Sequence, residues 1–563
     1  MDRSWIAQYD PGVPATLSYP EETLPQLLAR SAERFPDRPA LVFSGRVIRY
    51  RELDTWVSRF AQALLQTGIG RGSVVGLMLP NLPQTVISYF GSLRAGAVVT
   101  MINPLSVEPE IRQQVIDSGC TTLVVLDRLY PRLEPVIGTA GVKWVIVTGV
   151  EEYLPWMKRL VYPLATWVRG GRKEMPTRPD VRTFRSCLDA PSVPPKLAVA
   201  PDDVALLQYT GGTTGEPKGV MLTHRNLVCN VWQCRSWCTT LREGQEVVLG
   251  VLPFFHVYGM SVCLNLALSL GAALVLLPRF QTREVLTTIA REQVTVFPGI
   301  PSMYAAINAY QGLERDALRS LRICISGAGP LHPSIQQRFE ALTGALLVEG
   351  YGLTEASPVT HVNPIGQPVD KRRVGSIGVP LPDTDARIVD AETGECELPI
   401  GAIGELVVRG PQVMLGYWKR EAETRQVLRD GWLYTGDMAW RDADGYFYIA
   451  DRKKDMIKSG GENVYPREVE EVLLRHPKVK EAVVVGIPQT LRGELIKAYV
   501  VLKEGERAEV AELLAHCRRE LAKFKVPKRV EFRTELPKSP IGKVLRRVLV
   551  EEERRCAASD DGL

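Results

Sequence analysis

The stretch Tyr209-Thr-Gly-Gly-Thr-Thr-Gly-Glu-Pro-Lys-Gly-Val220 gathers Gly211, Gly212, Gly215 and Gly219, the hydroxyls of Thr210, Thr213 and Thr214, and the ammonium of Lys218. Glycines let backbone N–H groups approach an anion, hydroxyls add short donors, and lysine supplies a compact positive charge. The combination suits a polyphosphate. It is not the P-loop, which needs Gly-Lys-Ser/Thr: no glycine directly precedes Lys218, and Gly219 follows it. A phosphate donor would therefore be gripped differently from the way a kinase or GTPase grips it. Alone, such a run would also make a glycine-rich surface loop, so the rest of the chain has to decide.

Four further segments bear on it. Ser326-Gly327-Ala328-Gly329-Pro330 follows an expected strand at Arg322–Ile325, and glycines at a strand end let a flat ring lie against backbone. In Glu349-Gly350-Tyr351-Gly352-Leu353-Thr354-Glu355, Tyr351 offers a face for a purine, Thr354 a donor to phosphate and Glu355 a carboxylate for Mg²⁺. Tyr434-Thr-Gly-Asp437 puts a carboxylate in a turn, where it could accept both ribose hydroxyls. Pro537-Lys-Ser-Pro-Ile-Gly-Lys543 places a glycine-lysine in a loop near the C-terminus. Each has a plainer reading: a core tyrosine, a helix N-cap partner, a turn former, a solvated lysine. Order and spacing taken jointly favour the chemical reading.

The elements that must position these groups follow from the apolar pattern. A chain of 563 residues needs several packed units, and 45% hydrophobic with 24% charged residues is ordinary for a soluble globular protein. The net charge of +5 is too mild to argue for nucleic acid. The N-terminus lacks the basic and apolar regions of a secretory signal, and the cysteines, including Cys229, Cys234 and Cys238, lack zinc-site spacing, so free thiols in a cytoplasmic setting are expected. The apolar stretch Gly259 to Leu277 is broken by Asn265, Ser269 and Gly271, and reads as a buried helix, a turn and a buried strand rather than a membrane span. Strands expected at 74–79, 97–102 and 122–126 alternate with helices at 84–94 and 108–118. The same order recurs at 247–252, 260–268, 273–277, 283–292 and 294–297, offset by about 173 residues. Alternation of this kind predicts an α/β fold with two similar subdomains built on parallel sheets. A β-rich subdomain should follow Val374, with strands at 386–389, 404–409 and 446–449. A small α+β domain should follow Asp451, its last residues from Glu551 frayed.

The motif set resembles that of the adenylate-forming superfamily of acyl-CoA synthetases, luciferases and peptide-synthetase adenylation domains, from Leu24 to about Leu549. Within it, Val251-Leu-Pro-Phe-Phe-His256, Asp430-Gly-Trp-Leu-Tyr-Thr-Gly-Asp437 and Asp451-Arg-Lys-Lys-Asp-Met-Ile-Lys-Ser-Gly-Gly-Glu-Asn463 most resemble bacterial long-chain fatty-acid–CoA ligases. The resemblance implies two half-reactions in one site. A carboxylate attacks the α-phosphate of ATP to give acyl-adenylate and pyrophosphate, and the thiol of coenzyme A then displaces AMP. It implies that Thr210, Gly211, Gly212, Thr213, Thr214, Gly215 and Lys218 hold the β- and γ-phosphates, and that Tyr351 stacks on adenine between Gly350 and Gly352, with Gly327, Ala328 and Gly329 along its edge. Thr354 would contact the α-phosphate, Glu355 with Thr214 would hold Mg²⁺, and Asp437 and Arg452 would hold the ribose. Lys543 would reach both the carboxylate and the α-phosphate, and His256 would sit beside the acyl carbon. It further implies an AMP-binding domain over 1–451 and a mobile domain over 452–563, with a hinge near Lys454 whose swing exchanges Lys543 for Lys458, Gly460 and Gly461 near the coenzyme A tunnel.

The acid is less defined. Amino-acid-activating relatives carry an aspartate in the segment matching Phe254–Gly259, and none is present. Fatty and aromatic acids remain, as does an acyl-adenylate ligase that loads a carrier protein. In Glu151–Lys173, Leu154, Trp156, Leu160, Tyr162 and Trp167 mix with Lys158, Arg159, Arg169, Arg172 and Lys173, a pattern that lies on anionic membrane surfaces as well as in solvated loops. Its likeness to an insertion in long-chain enzymes favours a fatty acid and peripheral membrane contact. A homodimer is left open. Intact Lys218, Glu355, Asp437 and Lys543 argue against a non-catalytic nucleotide-binding or scaffold relative.

Overall fold

The computed structural model describes residues 3–160, 178–193, 197–210, 217–312, 315–366, 371–459, 462–489, 493–538 and 544–560. The chain divides into two compact units, Met1–Asp385 with Val408–Leu433, and Ala386–Val407 with Tyr434–Leu563.

The larger unit carries the expected repeat. Val74–Met78 lies between Val98–Met101 and Thr122–Leu126, all parallel. Val247–Gly250 lies in the same way between Ala273–Leu276 and Val296–Gly299. Val74–Met78 and Thr122–Leu126 are buried at every position, as strands covered on both faces must be. Between them, the helix Pro83–Arg94 opens on its proline, whose missing N–H costs nothing there, and is buried all round. The helix Glu108–Ser118 begins with Glu108 and Glu110 on its positive end and stops at Gly119, whose φ of 70° suits a left-handed cap.

The first repeat belongs to an eight-stranded sheet and the second to a nine-stranded one. The early strand Pro39–Phe43 joins the second of these, pairing in parallel with Ala273–Leu276. Asn81 ties the repeats together. Its amide donates to the carbonyls of Gly250 at 2.9 Å and Leu252 at 2.8 Å, and its oxygen accepts the N–H of Phe254 at 3.0 Å. Phe254 stands 173 residues on, at the place of Asn81 in the second repeat.

The stretch from Gly259 is helical, then turns, then forms a strand, as its composition requires. Its first seven residues, Gly259–Asn265, form a π-helix that passes into the α-helix Leu266–Ser269. Among the described residues no helix is long and apolar enough to cross a membrane. The first residues of the chain lace onto a much later segment. The Tyr9 hydroxyl donates to the Pro380 carbonyl at 2.7 Å, and Asp10 Oδ2 accepts the N–H groups of Ile365 and Gly366 at 2.7 and 2.6 Å. Asp383 Oδ2 accepts from Leu17 N and the Tyr19 hydroxyl, and Arg3 pairs with Asp385 at 2.7 Å.

Trp432–Arg441, Phe447–Arg452 and Gly404–Arg409 form the expected β-rich piece, most of whose residues fall in the smaller unit. Asp437 therefore lies within a strand rather than in a turn; Gly436, at φ 71°, bends the chain just before it. The α+β piece packs the helices Pro466–Arg475 and Val510–Glu520 over the antiparallel pair Val479–Gln489 and Gly493–Leu502, around Val469, Leu473, Val484, Ala498 and Leu513. Part of the end expected to fray from Glu551 is helical: the helix Arg546–Asp560 runs through it, with Lys497 paired to Glu553 at 2.5 Å and Arg533 to Glu552 at 3.0 Å, while residues 561–563 lie outside the described residues.

Candidate active site

The glycine-rich stretch joins the two strands of an antiparallel pair. Val204–Thr210 and Lys218–Thr223 run antiparallel, and Thr210 pairs with Lys218 at the last position before the loop. Gly211, Gly212, Thr213, Thr214 and Gly215 lie outside the described residues. The stem is anchored from the side: the Tyr209 hydroxyl donates to Asp117 Oδ2 at 2.5 Å. Gly219 opposite leaves room for that ring, since a Cβ there would stand 3.1 Å from it.

Several of the other segments follow neighbouring strands of the nine-stranded sheet. Ile323–Ser326 and Leu346–Gly352 are parallel partners, with Ser326 opposite Glu349. Gly327-Ala328-Gly329 and Gly350-Tyr351-Gly352 therefore emerge side by side at the carboxyl ends of strands, where α/β sheets bind ligands. Ala328 holds a φ of 63°, and the Tyr258 ring lies directly beneath Gly327, 3.0 Å from where a Cβ would be. Tyr351 is partly exposed, its ring edge-on to His361 with centroids 5.9 Å apart. Gly352 has no substitute: a Cβ would come within 2.1 Å of the Pro358 carbonyl oxygen. Directly after it Thr354 and Glu355 sit in a single 3₁₀ turn, both half-buried.

The structure adds a residue that the sequence reading missed. The two-residue strand Gly416–Tyr417 pairs with Val220 and Met221 of the hairpin, and Trp418 N donates to the Gly219 carbonyl at 2.7 Å. From there the Tyr417 hydroxyl donates to Glu355 Oε1 at 2.7 Å, while Lys218 Nζ stands 5.3 Å from the centre of the Tyr417 ring. Met414 N donates to the Glu355 carbonyl at 2.8 Å. One short segment thus holds the lysine of the hairpin and the carboxylate of the turn together. Nothing local marked Tyr417 beforehand, because two residues carry no periodicity and both partners are remote in sequence.

Mg²⁺ takes one or two carboxylates and completes its shell with water and substrate phosphates. Glu355, with one oxygen held by a phenol, fits that need, whereas no described cluster of three acidic, histidine or cysteine groups offers a closed metal cage.

His256 lies on the loop that follows Val247–Gly250. Its N–H donates to the Pro253 carbonyl at 3.1 Å and its ring centre is 4.9 Å from that of Phe255. Gln208 holds the same loop through the Phe255 carbonyl at 2.6 Å. Burial lowers the imidazole pKa to about 4, so the ring is neutral at pH 7; its Nε2 is buried with no protein partner. Gly259 closes this loop onto the π-helix, and a Cβ there would meet the Pro253 carbonyl oxygen at 2.4 Å.

In the smaller unit, Asp437 and Arg452 face each other across their strands, with Arg452 Nε 3.2 Å from Asp437 Oδ1. Asp437 is 6% exposed, so the ion pair accompanies a carboxylate largely withdrawn from water. Lys453 fixes the neighbouring turn through Glu405 at 2.7 Å, and Glu405 also accepts the Gly436 N–H. Lys458 is exposed on the strand Ile457–Ser459, its N–H donating to Glu494 at 2.8 Å. Gly460, Gly461 and Lys543 lie outside the described residues.

The chain has known relatives in both sequence and fold. The chain is 46% identical to a long-chain-fatty-acid–CoA ligase of Bacillus subtilis over 98% of both chains. It is 39% identical to one of Escherichia coli O6:H1, over 98% of this chain and 99% of the other. The crystal structure of ATP-bound MatB from Rhodopseudomonas palustris superposes with a TM-score of 0.83 at 30% identity, covering 94% of this chain and 99% of that one. Residues 28–418 match the AMP-binding enzyme family, and residues 468–543 match the AMP-binding enzyme C-terminal domain. On sequence and fold alike, the chain belongs to the AMP-binding enzyme family.

Proposed function

We propose that this protein joins a long-chain fatty acid to coenzyme A at the expense of ATP. In the first step a carboxylate oxygen of the acid attacks the α-phosphorus, and the bond to the bridging oxygen breaks to release pyrophosphate. In the second, the coenzyme A thiol loses its proton as sulfur attacks the acyl carbon, and AMP departs. The observation that carries this reading is the set Lys218, Tyr417 and Glu355, which offers a cation and a carboxylate at the foot of the phosphate hairpin. The acid is chosen on likeness to the two long-chain ligases.

Lys218 and the hairpin loop take the departing pyrophosphate, Thr354 the α-phosphate, and Tyr351 with Gly327 to Gly329 the adenine. Glu355 holds Mg²⁺ with Thr214, and that ion, when bound, withdraws charge from the phosphate oxygens. We assign the ribose hydroxyls to Asp437 and Arg452, the carboxylate and α-phosphate to Lys543, and the coenzyme A step to Lys458, Gly460 and Gly461, with the domain boundary at 451/452 and a hinge near Lys454. No general base is needed in the first step, because a carboxylic acid is already ionised near pH 7. His256, neutral there, lines the acyl carbon.

A peripheral position on the cytoplasmic side of a membrane fits the same reading. Trp156, Met157 and Leu160 are 73%, 63% and 69% exposed, with Lys158 and Arg159 among them. Apolar side chains interleaved with cations suit an anionic lipid surface.

Purified protein incubated with ATP, Mg²⁺, coenzyme A and a panel of palmitate, octanoate and benzoate tests the function. Palmitoyl-CoA and AMP are expected in equal amounts. No AMP with palmitate overturns the proposal, and a preference for benzoate would replace the fatty acid by an aryl acid.

A further inference from the structure

Lys218 and Glu355 pose an electrostatic problem. Opposite charges placed close together in a half-buried site attract strongly, and a closed Lys–Glu pair would satisfy itself instead of a polyphosphate and its cation. The two are joined by no direct ion pair; Tyr417 stands between them. Its hydroxyl donates to Glu355 Oε1 at 2.7 Å and its ring face receives the Lys218 ammonium at 5.3 Å. Tyr417 itself has little freedom. It is 8% exposed, paired through its backbone with Val220, and its N–H donates to Thr424 Oγ1 at 2.9 Å.

We propose that Tyr417 is a positioning residue for adenylation, whose hydroxyl orients Glu355 to receive Mg²⁺ and whose ring keeps Lys218 from collapsing onto that carboxylate. The inference rests on the reading of Glu355 as the magnesium carboxylate. A phenol is suited to both duties at once. It offers a single proton to the carboxylate, leaving the remaining lone pairs available, and a quadrupolar face attracts a cation without neutralising it.

The test separates the two duties. Tyr417→Phe removes the hydroxyl and keeps the ring, and Tyr417→Leu removes both. Equilibrium binding of ATP to the full chain is measured with Mg²⁺ and with EDTA, for these variants, for Glu355→Gln and for the double variant Tyr417→Phe/Glu355→Gln. Phe is expected to weaken ATP binding in Mg²⁺ about tenfold, the scale of one hydrogen bond to a charged group, and to leave binding in EDTA unchanged. In the Glu355→Gln background it should add nothing, which is the signature of action through that carboxylate. Leu should weaken binding in EDTA as well. Unchanged Mg²⁺-dependent binding in Phe, equal weakening with and without Mg²⁺, full additivity in the double variant, or a wild type whose ATP binding ignores Mg²⁺ would each overturn the inference. The assay contains no acid and no coenzyme A. Failure of palmitate ligation would therefore sink the proposed function without touching this result.

Discussion

Two lysines share the work of bringing one anion to another. By our assignment Lys218 steadies the phosphates that leave, and Lys543 offsets the repulsion where the new bond forms. An ammonium about 4 Å from a full negative charge contributes roughly 4 kcal/mol at an effective dielectric near 20, on the order of a thousandfold in rate. Lys543→Ala should therefore lower adenylation on that scale, followed as pyrophosphate release, yet retain thioester formation from preformed palmitoyl-adenylate. Equal loss in both half-reactions would refute the assignment of Lys543 to one step. Residues of this kind were legible in the sequence because their type and immediate neighbours define them. Tyr417 was not, since its meaning comes from Glu355, 62 positions back, and from the hairpin strand Lys218–Thr223 beside it, which is still farther back in the sequence.

At the scale of elements, alternating buried strands and helices announced themselves through local pattern, and Glu108–Ser118, Thr122–Leu126, Gly404–Arg409 and Pro466–Arg475 fall where the apolar spacing put them. Long-range pairing left no such trace. That Pro39–Phe43, already paired with its sequence neighbour Arg46–Arg49, would also join Ala273–Leu276 depends on a parallel contact no window of residues contains. The π-helix at Gly259–Asn265 was likewise read as an ordinary helix, because a fully buried segment shows no polar face to time its period. The helix His224–Trp237 carries a pH dependence of its own. Thr223 caps it by accepting the Asn226 N–H, and His224, 2% exposed, accepts the Leu24 N–H on Nδ1 at 3.4 Å. Burial lowers the pKa of His224 to about 4 and that of fully buried His361 to about 3. Unfolded, each would take a proton near 6.5, so their contribution is complete above that pH and is lost as the pH falls toward 4. Urea unfolding of the chain should show roughly 3 kcal/mol less stability at pH 5 than at pH 7 from these two groups, and about half that loss in His224→Gln. A variant with the full acid sensitivity would remove His224 from the account.

For the molecule as a whole, the proposed lipid contact predicts where the protein meets its substrate. Replacing both Trp156 and Leu160 by serine removes two exposed apolar side chains, each contributing about 2 kcal/mol if buried in lipid. Co-sedimentation with phosphatidylglycerol vesicles should weaken at least tenfold, with soluble-substrate turnover retained; unchanged sedimentation would place the lipid contact elsewhere. The lacing of the first residues onto 365–385 has a consequence of a different kind, one of timing. The Tyr9 hydroxyl, the Asp10 carboxylate and the Arg3 guanidinium meet Pro380, Ile365 and Asp385 only after those have been synthesised, about two thirds of the way along the chain. At roughly 5–20 residues per second the nascent N-terminus waits on the order of half a minute. Meanwhile Pro39–Phe43 waits for Ala273–Leu276, offering an unpaired strand edge to whatever is nearby. The larger unit therefore cannot mature strictly from its beginning, and the yield of folded protein should depend on how well the cell shelters that edge during translation.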